Sequence, residues 1–197
     1  MNPVLFYTEQ TPNPETLKFV TNRMLFANNM ADFRDATSAK EWSPLATSLF
    51  DLPYVKGVYI CNNFVTVTKE FNYDWSEVMI PIKQHLKDYI EAGSTVLKDG
   101  YAEWKTATDK KSETQFEGDD AAIVEKIKSL IETYVKPAVE SDGGNIEFKD
   151  YKAGVVHVVM QGACSGCPSS TVTLKSGIEG MLKRMVPQVT EVVQEMG

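Results

Sequence analysis

The chain is short of basic charge, cysteine, histidine and long apolar runs, and each shortage removes a class of function. Lys and Arg number 20 against 27 Asp and Glu, a formal net charge of -7. That excess argues against a sequence-independent nucleic-acid binder, which needs clustered cations to neutralise phosphates. Splitting the chain at residue 97 leaves both halves mildly acidic, so neither is a basic arm. No stretch approaches the roughly 18 to 20 consecutive apolar residues of a membrane-spanning helix. Cysteines number only three, an odd count that makes disulfide stapling a poor reading. The first residues, Met1 to Tyr7, have neither the basic start nor the apolar run of a secretory signal. These absences lead to an expectation of a cytoplasmic, reducing compartment.

What is present suits an α+β protein of two small domains. Residues 98–120 mix charge, Gly, Ser and Thr without apolar periodicity, and read as a flexible linker between domains at 1–97 and 121–197. Tyr101, Trp104 and Phe116 are its large apolar residues and leave open whether it docks on a domain.

In the first half, Val4 to Thr8 and Leu17 to Val20 flank Thr11-Pro12-Asn13-Pro14, the pattern of a hairpin with a proline-fixed bend. Ser43-Pro44 opens a short helix through Phe50. Val55 to Cys61 and Phe64 to Lys69 flank Asn62-Asn63, a second hairpin. Trp75, Val78, Ile82, Leu86 and Tyr89 then recur at helical spacing up to Gly93.

The second half reads as helix, strand, strand, cysteine loop, helix, strand. Ile123, Ile127, Leu130, Ile131 and Tyr134 form one helical stripe, with Pro137 marking its end region. Ser141-Asp142-Gly143-Gly144 is a turn signal; Asp142-Gly143-Gly144 could approach a bound group or a partner, but a hairpin-entry turn needing positive φ explains the glycines without function. Ile146 to Phe148 and Val155 to Met160 make a hairpin broken by Gly154, and Leu174 to Met185 a helix stopped by Pro187, before a last strand at Val189 to Val193.

Between the second of these strands and the following helix lies Cys164-Ser165-Gly166-Cys167. Two thiolates at this spacing serve as half of a zinc site, as a redox dithiol, or as part of an iron–sulfur site. A structural zinc wants four ligands, and the other candidates are Cys61, His85 and His157, without a second CxxC or an HxxxH. A dithiol near a helix N-terminus gains thiolate character, yet a thioredoxin-like fold expects a βαβ start where this chain reads as a hairpin. A cubane cluster lacks two ligands on one chain, a deficit that a symmetric dimer makes up. Cys61 reads as a small buried residue, and both histidines as structural or solvated. Met181, Met185 and Met196 read as packing rather than as a metal site.

The residues around this loop carry a resemblance. Lys136 to Gly144, Gln161 to Ser170 and Thr173 to Glu179 resemble the C-terminal domain of NifU, the Nfu domain. Thr11 to Pro14, Leu17 to Phe19, Ser43 to Ala46 and Phe64 to Lys69 resemble the N-terminal domain of two-domain Nfu proteins. The resemblance implies a non-enzymatic carrier or scaffold that binds a 4Fe-4S cluster between two subunits, with Cys164 and Cys167 as ligands. A 2Fe-2S form could use the same thiolates. It implies as partners a second copy, client apoproteins and upstream cluster-assembly proteins, and neither nucleic acid nor membrane. The alternative from a different class is a thiol-disulfide oxidoreductase, with Cys164 attacking and Cys167 resolving. Asn145 stands where relatives often have Asp, a change expected to affect only the turn. The mitochondrial relatives carry an extra leader that this sequence does not show, and the resemblance therefore leads to an expectation of a bacterial cytoplasmic protein or a mature form.

Overall fold

The structure, a computed structural model, describes residues 3–112, 116, 118–165 and 168–195. The chain divides into two compact units, Met1–Lys105 and Thr106–Gly197.

The first unit is a five-stranded antiparallel sheet in the order β1-β2-β5-β4-β3. Strands β1 (Phe6–Gln10) and β2 (Thr16–Thr21) form the first hairpin, as the proline bend predicts. Strands β4 (Val55–Asn62) and β5 (Phe64–Lys69) form the second, and Asn62 takes the left-handed turn position with φ 44°. Edge strand β3 (Phe26–Phe33) was not anticipated, because Asn, Ala and Asp fill it where β-branched residues mark a strand. Its register with β4 supplies the pairing that its own propensity lacks.

Helices α1 (Ala36–Trp42), α2 (Pro44–Phe50) and α3 (Trp75–Glu91) cover one face of this sheet. Leu45, Leu49, Val78, Ile82 and Leu86 bury against Leu17, Phe19, Ile60, Val65 and Val67. The opposite face carries a smaller cluster of Val20, Tyr59, Cys61 and Phe64. Cys61 is thus a buried sheet residue, as its setting suggested.

The segment read as linker contains a helix, α4 (Tyr101–Ser112). Tyr101 is 4% exposed and packs on Phe26, Phe33 and Trp42, while Trp104 lies 5.0 Å from the Trp42 ring. Phe116 packs edge-on against Phe148 in the second unit. The three aromatic residues all dock, two on the first unit and one on the second.

In the second unit, helix α5 (Asp119–Leu130) does not stop near Pro137. It passes through a π turn at Ile131–Val135 and continues as α6 (Lys136–Ser141). A proline removes its own N–H and crowds the carbonyl four residues back. Here the Lys136 N–H donates to the Ile131 carbonyl, five residues back, and the widened turn admits the ring.

Strands β6 (Gly144–Lys152) and β7 (Val155–Gly162) pair antiparallel across a turn in which Ala153 and Gly154 both have positive φ. Helix α7 (Pro168–Met185) then supplies the crossover that lets β8 (Glu191–Glu195) run parallel to β7. Ile127, Ile131, Val139, Ile146, Val158, Met160, Ile178, Leu182 and Val192 form the core between helices and sheet.

Candidate functional site: the loop after strand β7

The alternation of β7 fixes which side of the sheet the loop inherits. Val156, Val158 and Met160 point into the core, so His157 and Gln161 lie on the other face. Gly162 ends the strand with φ 60°, a left-handed conformation that turns the chain out of the pleat. Two backbone hydrogen bonds then set the loop: Ala163 N donates to Gly143 O at 3.2 Å, and Ser165 N to Gly162 O at 3.1 Å.

This geometry brings Cys164 back into the core. The residue is 4% exposed and packs with the same cluster as Ile146, Met160 and Ile178. Its Sγ lies 2.9 Å from the point where a side chain on Gly144 would place its Cβ, and the Gln161 carbonyl lies 2.7 Å from that point. Gly144 pairs with Gly162 across the hairpin, so both strands are bare of side chains beside the thiol.

The paired glycines therefore serve different ends. Gly143 has φ 82° and fulfils the turn reading. Gly144 is not among the positive-φ glycines and opens β6, where its value is the room it leaves for Cys164. No local pattern announces that role, since its cause lies twenty residues downstream.

Cys167, the other residue of the expected ligand pair, lies outside the described residues, as does Gly166. The structure thus places one of the two thiols. His157 is on the face away from the core, its Nδ1 2.8 Å from Glu195 Oε1 but out of line for a hydrogen bond. His85 belongs to the first unit and contacts Ser48 Oγ through Nε2 at 2.8 Å, while that hydroxyl donates to the Leu45 carbonyl. Both histidines have structural neighbours. Among the described residues, no group of three or more His, Cys, Asp and Glu side chains is arranged to hold a metal ion.

Asn145 corrects the expectation that it would affect only the turn. It is a fully buried residue of β6, opposite Gln161. Its Nδ2 donates to Gln161 Oε1 at 3.1 Å and to Glu147 Oε1 at 3.2 Å, and its Oδ1 has no hydrogen-bond partner among the described residues. An Asp here could not donate to either oxygen and would set two carboxylates side by side.

Residues 127–193 match the NifU-like domain family, and residues 6–93 match the Nfu/NifU scaffold-protein N-terminal domain. The chain belongs to this two-domain Nfu family. It is 40% identical over 188 residues to a protein of Drosophila sechellia named as a mitochondrial NFU1 iron-sulfur cluster scaffold homolog, covering 95% of this chain and 63% of that one. It is 40% identical over 190 residues to the mitochondrial NifU-like protein 4 of Arabidopsis thaliana, covering 95% and 65%. NifU-like protein 5 of the same plant, also named mitochondrial, is 41% identical over 190 residues, covering 95% and 66%. The chain spans just under two thirds of the length of these relatives.

These relatives overturn the cytoplasmic expectation, since they are named as mitochondrial proteins. The expectation took a location from the first residues of the sequence. A targeting leader is removed on import and is no part of the mature fold, so those residues carry no weight on the question.

Proposed function

We propose that this chain is an iron–sulfur cluster carrier or scaffold that holds a 4Fe-4S cluster between two copies and passes it to client apoproteins. The observation that carries the reading is the family match on both domains, with a Cys164 loop flanked by glycine on both strands. The names of the relatives as iron–sulfur scaffolds support it. Cys164 and Cys167 supply two thiolates per chain, so a second copy completes the four that a cubane takes. Soft sulfur ligands suit iron in a cluster. The cluster is cargo rather than a resident catalyst, and the role requires no reaction of the chain itself.

The dithiol oxidoreductase is the weaker reading. A thioredoxin-like fold brings its cysteines out of a βαβ start, whereas β6 and β7 here are an antiparallel hairpin.

The test is anaerobic reconstitution with iron and sulfide, followed by size exclusion with iron, sulfide and mass measured together. About four irons and four sulfides per dimer is the expected result. A chain that stays monomeric and iron-free, while trapping mixed disulfides as Cys167→Ser, would move the assignment to the oxidoreductase.

A further inference from the structure

A cluster iron is already surrounded by other sulfurs, so a ligating cysteine must face a volume the size of several side chains. Among the described residues the seat of Cys164 is closed, with the residue 4% exposed and packed into the core. Its side chain points to the helix-covered side of the sheet, packed in the cluster that contains Ile146, Met160 and Ile178. The approach from β6 is closed by Gly144, whose backbone lies close enough that even a methyl group would sit 2.9 Å from Sγ. Ordinary packing distances between such atoms are about 3.5 to 4 Å, so the seat exists only while residue 144 has no side chain.

We propose that Cys164 has an inward position, seated over Gly144 in the protein without cargo, and an outward position from which it ligates, with Gly144 as the positioning residue for the inward one. This deepens the carrier reading and rests on it for the outward position. The backbone at Gly144 is not in the left-handed region, so conformational need does not account for the glycine. Gly162, with φ 60°, is the point at which the loop can pivot while β7 stays paired. The exchange makes and breaks no covalent bond. Its consequence is that the empty protein keeps one ligand thiol away from solvent oxidants and electrophiles until cargo arrives.

The experiment uses the full chain, reduced and free of iron. A timed iodoacetamide pulse, read at the Cys164 peptide by mass spectrometry, is compared with the same pulse in urea. An inward thiol alkylates at least about tenfold more slowly in the native protein, since reaction waits on local opening. A native rate equal to the denatured one overturns the inward position.

The role of Gly144 is read from Gly144→Ala in the native and Cys164→Ala backgrounds. The expected result is faster alkylation of Cys164 in Gly144→Ala, and a smaller loss of Tm from that substitution once the thiol is gone. Equal losses in both backgrounds, or failure to fold in both, would assign the glycine to the Gln161 carbonyl alone and overturn its tie to the thiol. Slow alkylation in a chain that never binds iron leaves the inward seat standing and removes the cargo reading. Fast alkylation in a chain that binds a cluster does the reverse.

Discussion

Glu179 on α7 accepts the backbone N–H of Val192 on β8 through Oε2 at 3.0 Å, while its Oε1 holds Lys183 Nζ at 2.6 Å. β8 is an edge strand, and a side chain from the crossover helix thus occupies a donor that its sheet does not pair. The two donors hold the Glu179 carboxyl below its ordinary value, Lys183 most strongly and the Val192 amide next.

The sign of the pH effect follows. A carboxyl lowered on folding contributes stability above its unfolded value, near 4.5, and loses it as pH falls through the lower folded value. Glu179→Gln keeps an acceptor but removes the charge. We expect the Val192 amide to exchange faster in Glu179→Gln than in the native chain at pH 7, with the difference closing as pH falls from 4.5 through the lowered folded value. Exchange measured by NMR across that range checks it; a difference independent of pH would assign the effect to shape alone.

Ser43 joins two helices at one fully buried residue. Its Oγ accepts from Ala46 N at 3.0 Å, capping α2, and donates to the Val96 carbonyl at 2.7 Å. Ser43→Ala leaves the buried Ala46 N–H without its cap and the Val96 carbonyl, on a half-buried residue, without its donor, and should cost about 1 to 2 kcal/mol. All three tryptophans lie in the first unit, at 42, 75 and 104, so their fluorescence in a urea titration reports this loss for that unit.

The readable parts of the sequence were those whose cause is local. Ser43-Pro44 announces α2, Asn62-Asn63 announces a hairpin, and the nearly continuous apolar run of Val155 to Met160 announces β7. The parts not read have distant causes. β3 is a strand because β4 pairs with it, α4 is held through Tyr101 and Trp42, and the helix passes Pro137 because a π turn precedes it. That a loop follows β7 was legible, and its described part includes Cys164 and Ser165, but the inward orientation of Cys164 was not legible. It depends on a glycine that sequence alone assigns to a turn.

Tyr101 offers a direct measure of how firmly the start of α4 belongs to the first unit. Its ring lies 5.7 to 6.0 Å from those of Phe26, Phe33, Trp42 and Trp104. Tyr101→Ala removes a buried aromatic side chain and should destabilise the first unit by about 3 kcal/mol. Tryptophan fluorescence should then show α4 released at lower urea, with Trp104 shifting to a solvent-exposed emission. An unchanged midpoint would mean that α4 is a passenger on the unit.

Cysteine substitution separates ligand from packing residue. In the carrier reading each single change at Cys164 or Cys167 removes two of the four thiolates of a dimer, so Cys164→Ser and Cys167→Ser should each lose nearly all reconstituted iron and sulfide. Cys61 is buried beside Tyr59 and Phe64 in the first unit, and Cys61→Ser should keep full cluster content while losing roughly 1 kcal/mol of stability from a hydroxyl in an apolar site. Cys164→Ser should lose stability even without iron, because its Sγ is also a core atom. A Cys164→Ser protein as stable as the iron-free native chain would show that the thiol contributes nothing to packing. Full iron content in either loop variant would remove that residue from the ligand set.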